Sequence, residues 1–205
     1  MKYGIDGTET FRALVAAIEG DGSKISEEVG AIGGFTSRPI RNLMNRIGAF
    51  VVNGYLEVGV HRGSIFFATL DGNPNIKTAL ACDNFSQFNT DGAEEEFKRH
   101  LAKEPRATLY ERDCFEITGL PVKPDLYFYD GDHGYESQKK AITHFAPMLA
   151  ETFILCVDDH DWDDVSNGTK DGLKEAGITV VKDWVFLGKD GYHNGFYVAL
   201  CSKNK

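Results

Sequence analysis

Tyr55-Leu56-Glu57-Val58-Gly59-Val60-His61-Arg62-Gly63-Ser64 decides how the chain is read. A short apolar run with one acid ends at a glycine. Four residues later a second glycine opens the apolar stretch Ser64 to Leu70. That is the pattern of a buried strand, a tight turn and a helix. Gly59 lets the backbone turn sharply with no Cβ between chain and ligand. Gly63 lets the helix begin close to the strand, with its free N–H groups turned toward the same place. The spacing is G-x-x-x-G. A dinucleotide loop prefers G-x-G-x-x-G, because pyrophosphate needs the closer approach, so NAD and FAD are disfavoured. Any tight strand-to-helix turn also wants glycines, so the loop gains meaning only from its surroundings.

Outward toward the C-terminus the same unit recurs. Strands are expected at Thr78–Cys82, Ala107–Glu111, Asp125–Tyr129 and Phe153–Val157, and helices at Ala93–Ala102, Glu136–Phe145 and Asn167–Ala176. The tail holds two more strands, Thr179–Leu187 and Gly195–Cys201, as a hairpin around Gly188-Lys189-Asp190-Gly191. Alternating strands and helices imply a parallel sheet covered on both faces. Outward toward the N-terminus two helices are expected. Thr8 caps Glu9–Glu19, with Phe11, Leu14, Val15 and Ile18 on one face, and the second runs Pro39–Ile47. A single domain follows over residues 1–205: a helical cap over 1–50 and the repeating core over 51–205.

An open parallel sheet places its ligand site at the carboxyl ends of its strands. Gly59, Asp83, Asp113, Asp130 and Asp158 all fall at such ends. Asp83 lies 26 residues after Glu57, near the offset of about 20 at which an acid grips ribose hydroxyls; an aspartate there also serves as a loop or cap residue. Asn84 and Phe85 follow and can flank an adenine, unless Phe85 is core. Asp113 can accept from an adenine amino group or be a surface acid. Asp130-Gly131-Asp132-His133 and Asp158-Asp159-His160-Asp161 follow the fourth and fifth strands. Neighbouring strands lie about 5 Å apart, so the two loops converge. Crowded carboxylates repel until a proton or a cation relieves them. Oxygen donors without thiolates favour Mg2+, Ca2+ or Mn2+ over zinc.

The chain has 205 residues, 42% of them hydrophobic, and a net charge of −9. That balance argues against a nucleic-acid partner, since phosphate binding needs clustered Lys and Arg. Arg38, Arg41 and Arg46 form a modest cluster that reads as a solvated helix face, as does Glu94-Glu95-Glu96. No apolar run is long enough to span a bilayer, and Met1–Asp6 shows no secretory pattern, so a cytoplasmic location is expected. Cys82, Cys114, Cys156 and Cys201 show no zinc spacing and read as reduced, mostly buried residues. His61, His100, His144 and His193 receive no role. Trp162 reads as a wall of the substrate pocket.

Glu-x-Gly-x-x-x-Gly, the acid at the second strand and Asp125-Leu-Tyr-Phe-Tyr-Asp-Gly-Asp-His133 together resemble the class I S-adenosylmethionine-dependent methyltransferases, over about residues 53–202. The resemblance implies an α/β, Rossmann-like seven-stranded sheet, mostly parallel with the last strand antiparallel, and helices on both faces. It places S-adenosylmethionine at Glu57, Gly59, Gly63, Asp83, Asn84, Asp113 and Asp130. The Asp-Gly-x-His form is similar to the metal-dependent O-methyltransferases of the catechol and macrolide-sugar type. That implies a divalent cation such as magnesium held by Asp130, Asp158 and Asp159, with His133 as general base beside Asp130. One departure is Met148–Thr152, which stands where the family often has a Pro-Gly-Gly turn. The expected activity is O-methylation of a small hydroxylated molecule, with no nucleic-acid or membrane partner and a homodimer allowed. An NAD-dependent oxidoreductase, a catalytically inactive adenosylmethionine-binding module and a metal-dependent hydrolase are the rival readings.

Overall fold

The structure is a computed structural model that describes residues 8–87 and 92–203. The side chain of Thr8, and with it the expected cap, lies outside the described residues, as does the Met1–Asp6 stretch. Seven strands form one sheet in the order β3-β2-β1-β4-β5-β7-β6. They are β1 Tyr55–Val58, β2 Ala79–Cys82, β3 Ala107–Tyr110, β4 Leu126–Tyr129, β5 Thr152–Asp158, β6 Ile178–Phe186 and β7 Phe196–Lys203. β1 pairs in parallel with β2 and β4, and β4 with β5, whereas β7 runs antiparallel between β5 and β6. The chain starts in the middle of the sheet, builds to one edge and then restarts on the other side of β1. The crevice between the ends of β1 and β4 is therefore the topological switch point, where such sheets bind ligands.

Alternation along the strands divides the core in two. Tyr55, Ala79, Ala81, Leu126, Phe128, Ile154 and Cys156 face a layer built with Leu14, Ile18, Ile40, Leu43, Phe66 and Phe97. Leu56, Leu80, Tyr127, Tyr129, Leu155 and Val157 face a second layer with Ile142, Phe145, Val165 and Leu173. The first layer is covered by α1 Thr8–Glu19, α3 Arg38–Gly48, α4 Ser64–Leu70 and α5 Ala93–Leu101; the second by α6 Tyr135–Phe145 and α7 Asp163–Glu175. Both strand faces are apolar, as a sheet covered on both sides requires.

Three features depart from the sequence reading. A one-turn helix, α2 Glu27–Gly30, forms where a Gly-rich break was expected; Ser26 caps it by accepting from Val29 N–H. α7 begins at Asp163 rather than Asn167, since Asp163 and Asp164 in its first turn suit the positive end of a helix. Arg41 and Arg46 are not a solvated face. Arg41 donates to the carbonyls of Val29, Gly30 and Ile32, and Arg46 to those of Ala17 and Gly22, satisfying free carbonyls beyond the helix ends. Likewise Glu96 pairs with Arg62 of the β1–α4 loop instead of facing water.

Two buried polar groups fix the frame under the crevice. The Asn45 amide donates to Ala68 and Asp71 carbonyls and locks α3 onto α4. The Asp125 carboxylate accepts from the backbone N–H groups of Val52, Asn53 and Gly54, and so pins the entry of β1 beside β4. Among the described residues no helix is long and apolar enough to cross a membrane.

Candidate active site

A cleft of about 640 Å³ opens at the carboxyl ends of β1, β2, β4 and β5. Glu57, Gly59, Asp83, Asn84, Asp113, Asp130, His133, Asp158 and Asp159 all line it. Gly63 does not. It caps α4 in the left-handed conformation, with φ 84°, and a Cβ there would lie 2.5 Å from the Phe67 ring. Its role is close packing of helix on core.

Gly59 is held in close contact with a neighbouring strand end. Its φ is 87°, and a Cβ would stand 1.8 Å from the Asp130 carbonyl oxygen. The ends of β1 and β4 are thus in direct backbone contact, which brings the Asp130 loop to the glycine turn. Asp83 ties in the next strand: its Oδ2 accepts from His61 N–H at 2.9 Å and its Oδ1 from Phe85 N–H at 2.8 Å. Each oxygen keeps a second lone pair, which suits the two vicinal hydroxyls of a ribose. Phe85 is buried and packs toward Phe97, so it is core and not an adenine wall. Asn84 Oδ1 is engaged by Ser86, and Asp113 caps the turn Cys114–Glu116 by accepting from Phe115 N–H.

Glu57 is 1% exposed and accepts a hydrogen bond from the Tyr55 hydroxyl. Burial raises its proton affinity well above the usual carboxylate range, and Asp83 and Asp158 add to that rise against the Tyr55 bond. Asp130 is raised likewise, first by burial and then by Asp158, Asp159, Glu57 and Asp83. Asp158 is pushed up to about 8 by burial and by Asp159. The acids share one space, as the sequence implied.

Within that space Asp130, His133 and Asp159 converge: one ligand atom from each lies within 4.8 Å of the others. His133 Nε2 is 2.8 Å from Asp159 Oδ2 and 3.6 Å from Asp130 Oδ1. Asp158 stands beside this trio but outside it. Asp158 and Asp159 are 4% and 7% exposed, and Oδ1 of each is buried without a hydrogen-bond donor among the described residues. Buried carboxylate oxygens without donors are costly unless a proton or cation meets them. The oxygen and imidazole donors fit a divalent ion.

Residues passed over in sequence also line the cleft: Phe35, Thr36, His61, Arg112 and His193. His61, Asp159 and His193 have φ of 47°, 53° and 49°. Such left-handed conformations are uncommon for residues other than glycine and gather at functional sites.

A glycine turn at the switch point, a ribose-compatible acid at the next strand and an acidic pocket beside them define an S-adenosylmethionine-dependent methyltransferase on a Rossmann-like fold. The chain belongs to the methyltransferase domain family, whose model matches residues 56–160. Among curated proteins no sequence matches it. Solved structures share the fold at low identity. A protein assigned as a caffeoyl-CoA O-methyltransferase from Staphylococcus aureus has a TM-score of 0.61 at 15% identity, covering 84% of this chain and 87% of its own. One assigned as an O-methyltransferase from Klebsiella pneumoniae has 0.60 at 14%, covering 94% and 90%. One assigned as an RNA methyltransferase from Pyrococcus horikoshii has 0.60 at 11%, covering 97% and 100%.

Proposed function

We propose that the enzyme methylates a hydroxyl group of a small acceptor, assisted by a divalent cation. The observation that carries this is the meeting of Asp130, His133, Asp158 and Asp159 in the pocket beside the glycine turn. S-adenosylmethionine supplies the electrophilic methyl group. Asp83 would hold its ribose, with Asn84 and Asp113 on the adenine side and Glu57, Gly59 and Asp130 along the rest. Asp130, Asp158 and Asp159 would hold the cation, whose contribution is Lewis acidity that makes the acceptor hydroxyl easier to deprotonate. His133 accepts that proton, and Asp159 Oδ2 at 2.8 Å stabilises the imidazolium. The transfer itself needs alignment and exclusion of water more than further chemistry.

A second reading concerns His133 alone. Its convergence with Asp130 and Asp159 favours it as the third ligand in place of Asp158. His133→Ala separates the two. As the base, its loss lowers turnover by about a hundredfold or more with cation affinity intact. As a ligand, its loss weakens cation binding directly, read by calorimetry.

The reaction proposal is tested by thermal shift and by methyl transfer from labelled S-adenosylmethionine to a panel of hydroxylated acceptors, with and without EDTA. S-adenosylhomocysteine should raise the melting temperature and NADH should not. Methyl transfer that is unchanged in EDTA would refute the cation. Transfer to matched amines assayed beside the panel, with none to any hydroxylated acceptor, would refute O-methylation.

A further inference from the structure

Resting on the cation reading of this cleft, we infer that Asp161 is a positioning residue. It bolts the β6–β7 turn onto the loop after β5. Through that contact it sets the Asp159 carboxylate for the cation and keeps His193 in the cleft.

Successive residues after β5 serve different sides of the fold. Asp159 meets His133 at 2.8 Å. His160 stacks on Tyr197 of β7, with centroids 4.6 Å apart and planes 11° from parallel, and the Tyr197 hydroxyl donates to Asp183 of β6. Asp161 meets the β6–β7 turn, and Trp162 returns to the cleft beside His133. The path bends at Asp159, whose backbone is left-handed with φ 53°. Inside the loop, Trp162 N–H donates to the Asp159 carbonyl at 3.0 Å. Further ties come from the hairpin.

Those ties converge on Asp161. Its Oδ2 accepts from the N–H of Gly188, where the turn begins, at 2.8 Å. Its own N–H donates to the Asn194 carbonyl at 2.9 Å, and His160 N–H to the Gly195 carbonyl at 3.2 Å, where the turn ends. One aspartate thus grips both ends of segment 188–195. The turn is shaped around that grip. A Cβ on Gly195 would stand 2.4 Å from Asp161 Oδ1, and one on Gly188 2.0 Å from the His193 carbonyl oxygen. His193 lies between these glycines and lines the cleft. Tyr192 anchors the turn on its other side, its ring centroid 4.6 Å from that of Phe186. Loss of Asp161 therefore loosens the turn without unfolding the hairpin.

Asp161 also carries a charge, which attracts a cation without any positioning. Asparagine separates the two effects. It is neutral, yet its side-chain oxygen still accepts from Gly188 N–H; alanine removes both charge and acceptor. Groups that orient the ligands of a metal are worth about ten- to a hundredfold in its affinity, so the contrast between the two variants is measurable.

The test compares the unmodified full chain, Asp161→Ala and Asp161→Asn, each with S-adenosylhomocysteine. MnCl2 affinity is read from the electron paramagnetic resonance of the free ion. Amide exchange followed by mass spectrometry reports on segments 158–162 and 188–195. Asp161 is exposed, so its replacement leaves the core intact, and unchanged S-adenosylhomocysteine affinity verifies the fold. Asp161→Ala should weaken Mn2+ about tenfold and speed exchange in both segments about tenfold. Asp161→Asn should stay within about threefold of the unmodified chain in both measurements. Equal weakening of Mn2+ by the two variants would mean that charge alone acts, and would overturn the inference. So would unchanged Mn2+ affinity in Asp161→Ala, or unchanged exchange at 188–195. If the unmodified chain takes up no Mn2+, the cation reading is what fails, and exchange alone decides. Segment 158–162 loosening together with 188–195 then supports the bolt, and 158–162 staying protected overturns it.

Discussion

Replacing Asp158 with asparagine should stabilise the cation-free protein at alkaline pH, and the size of the effect follows from its surroundings. Asp158 is nearly fully buried, and the Asp159 carboxylate adjoins it. These raise its pKa from an ordinary 3.8 to about 8. Each tenfold change in proton affinity is worth about 1.4 kcal/mol, so ionising the folded residue costs about 6 kcal/mol. The folded state binds the proton more tightly than the unfolded chain. Its stabilising effect is complete below pH 3.8 and is lost as pH rises toward 8. Asparagine is neutral throughout and avoids that loss. Repacking an amide beside Asp159 offsets part of the gain, leaving about 3 kcal/mol at pH 8.5. For a chain of this size that is about 6 to 12 °C in melting temperature. Thermal unfolding of EDTA-treated protein from pH 5 to 8.5 measures it. The unmodified protein should lose stability steeply across the range and Asp158→Asn much less, with a residual slope from Glu57 and Asp130, which are raised in the same sense. Saturating MgCl2 should restore the unmodified protein at pH 8.5 and do little for the variant. Parallel pH profiles for the two proteins would refute the reasoning, since they would mean that Asp158 ionises freely in the fold.

Gly59→Ala should abolish S-adenosylhomocysteine binding and cost several kcal/mol of stability: the left-handed backbone alone costs about 1–2 kcal/mol, and the new Cβ meets the Asp130 carbonyl at 1.8 Å. Denaturant unfolding and calorimetry check both parts. Asp83→Ala should weaken S-adenosylhomocysteine by about a hundredfold, through loss of the ribose contact and of the anchor for the His61 and Phe85 N–H groups. An unchanged dissociation constant would remove Asp83 from the cofactor site. Asp125→Ala should destabilise the fold by about 3 kcal/mol or more, because three backbone donors at Val52, Asn53 and Gly54 lose their acceptor, while the cleft chemistry at pH 7 stays intact in the remaining folded protein.

What the sequence made legible and what it hid divide along a physical line. Strands, helices and the acids at strand ends were readable because period and turn chemistry are local: a buried run followed by Gly59 or Asp83 announces its own end. The parallel sheet then brought Glu57, Asp83, Asp130 and Asp158 into one cleft without further information. The acceptor side is of another kind. Phe35 comes from a loop before α3, His193 from the turn between β6 and β7, and Trp162 from the start of α7; only the tertiary fold brings these distant segments to one cleft. His61, Asp159 and His193 also adopt left-handed backbones, which histidine and aspartate enter more readily than most residues, but no turn motif in the sequence marks these positions. Even the glycines divide this way. Gly59 and Gly63 looked like equal partners in one ligand loop, yet one is required by the carbonyl of a strand 71 residues away and the other by a phenylalanine one helical turn on. A motif therefore fixes where a cofactor is received. Which acceptor is received depends on segments whose meeting point no local pattern encodes: Trp162 was readable as a pocket wall because it follows the acids of β5, whereas Phe35 and His193 join the same cleft from segments with no such neighbour.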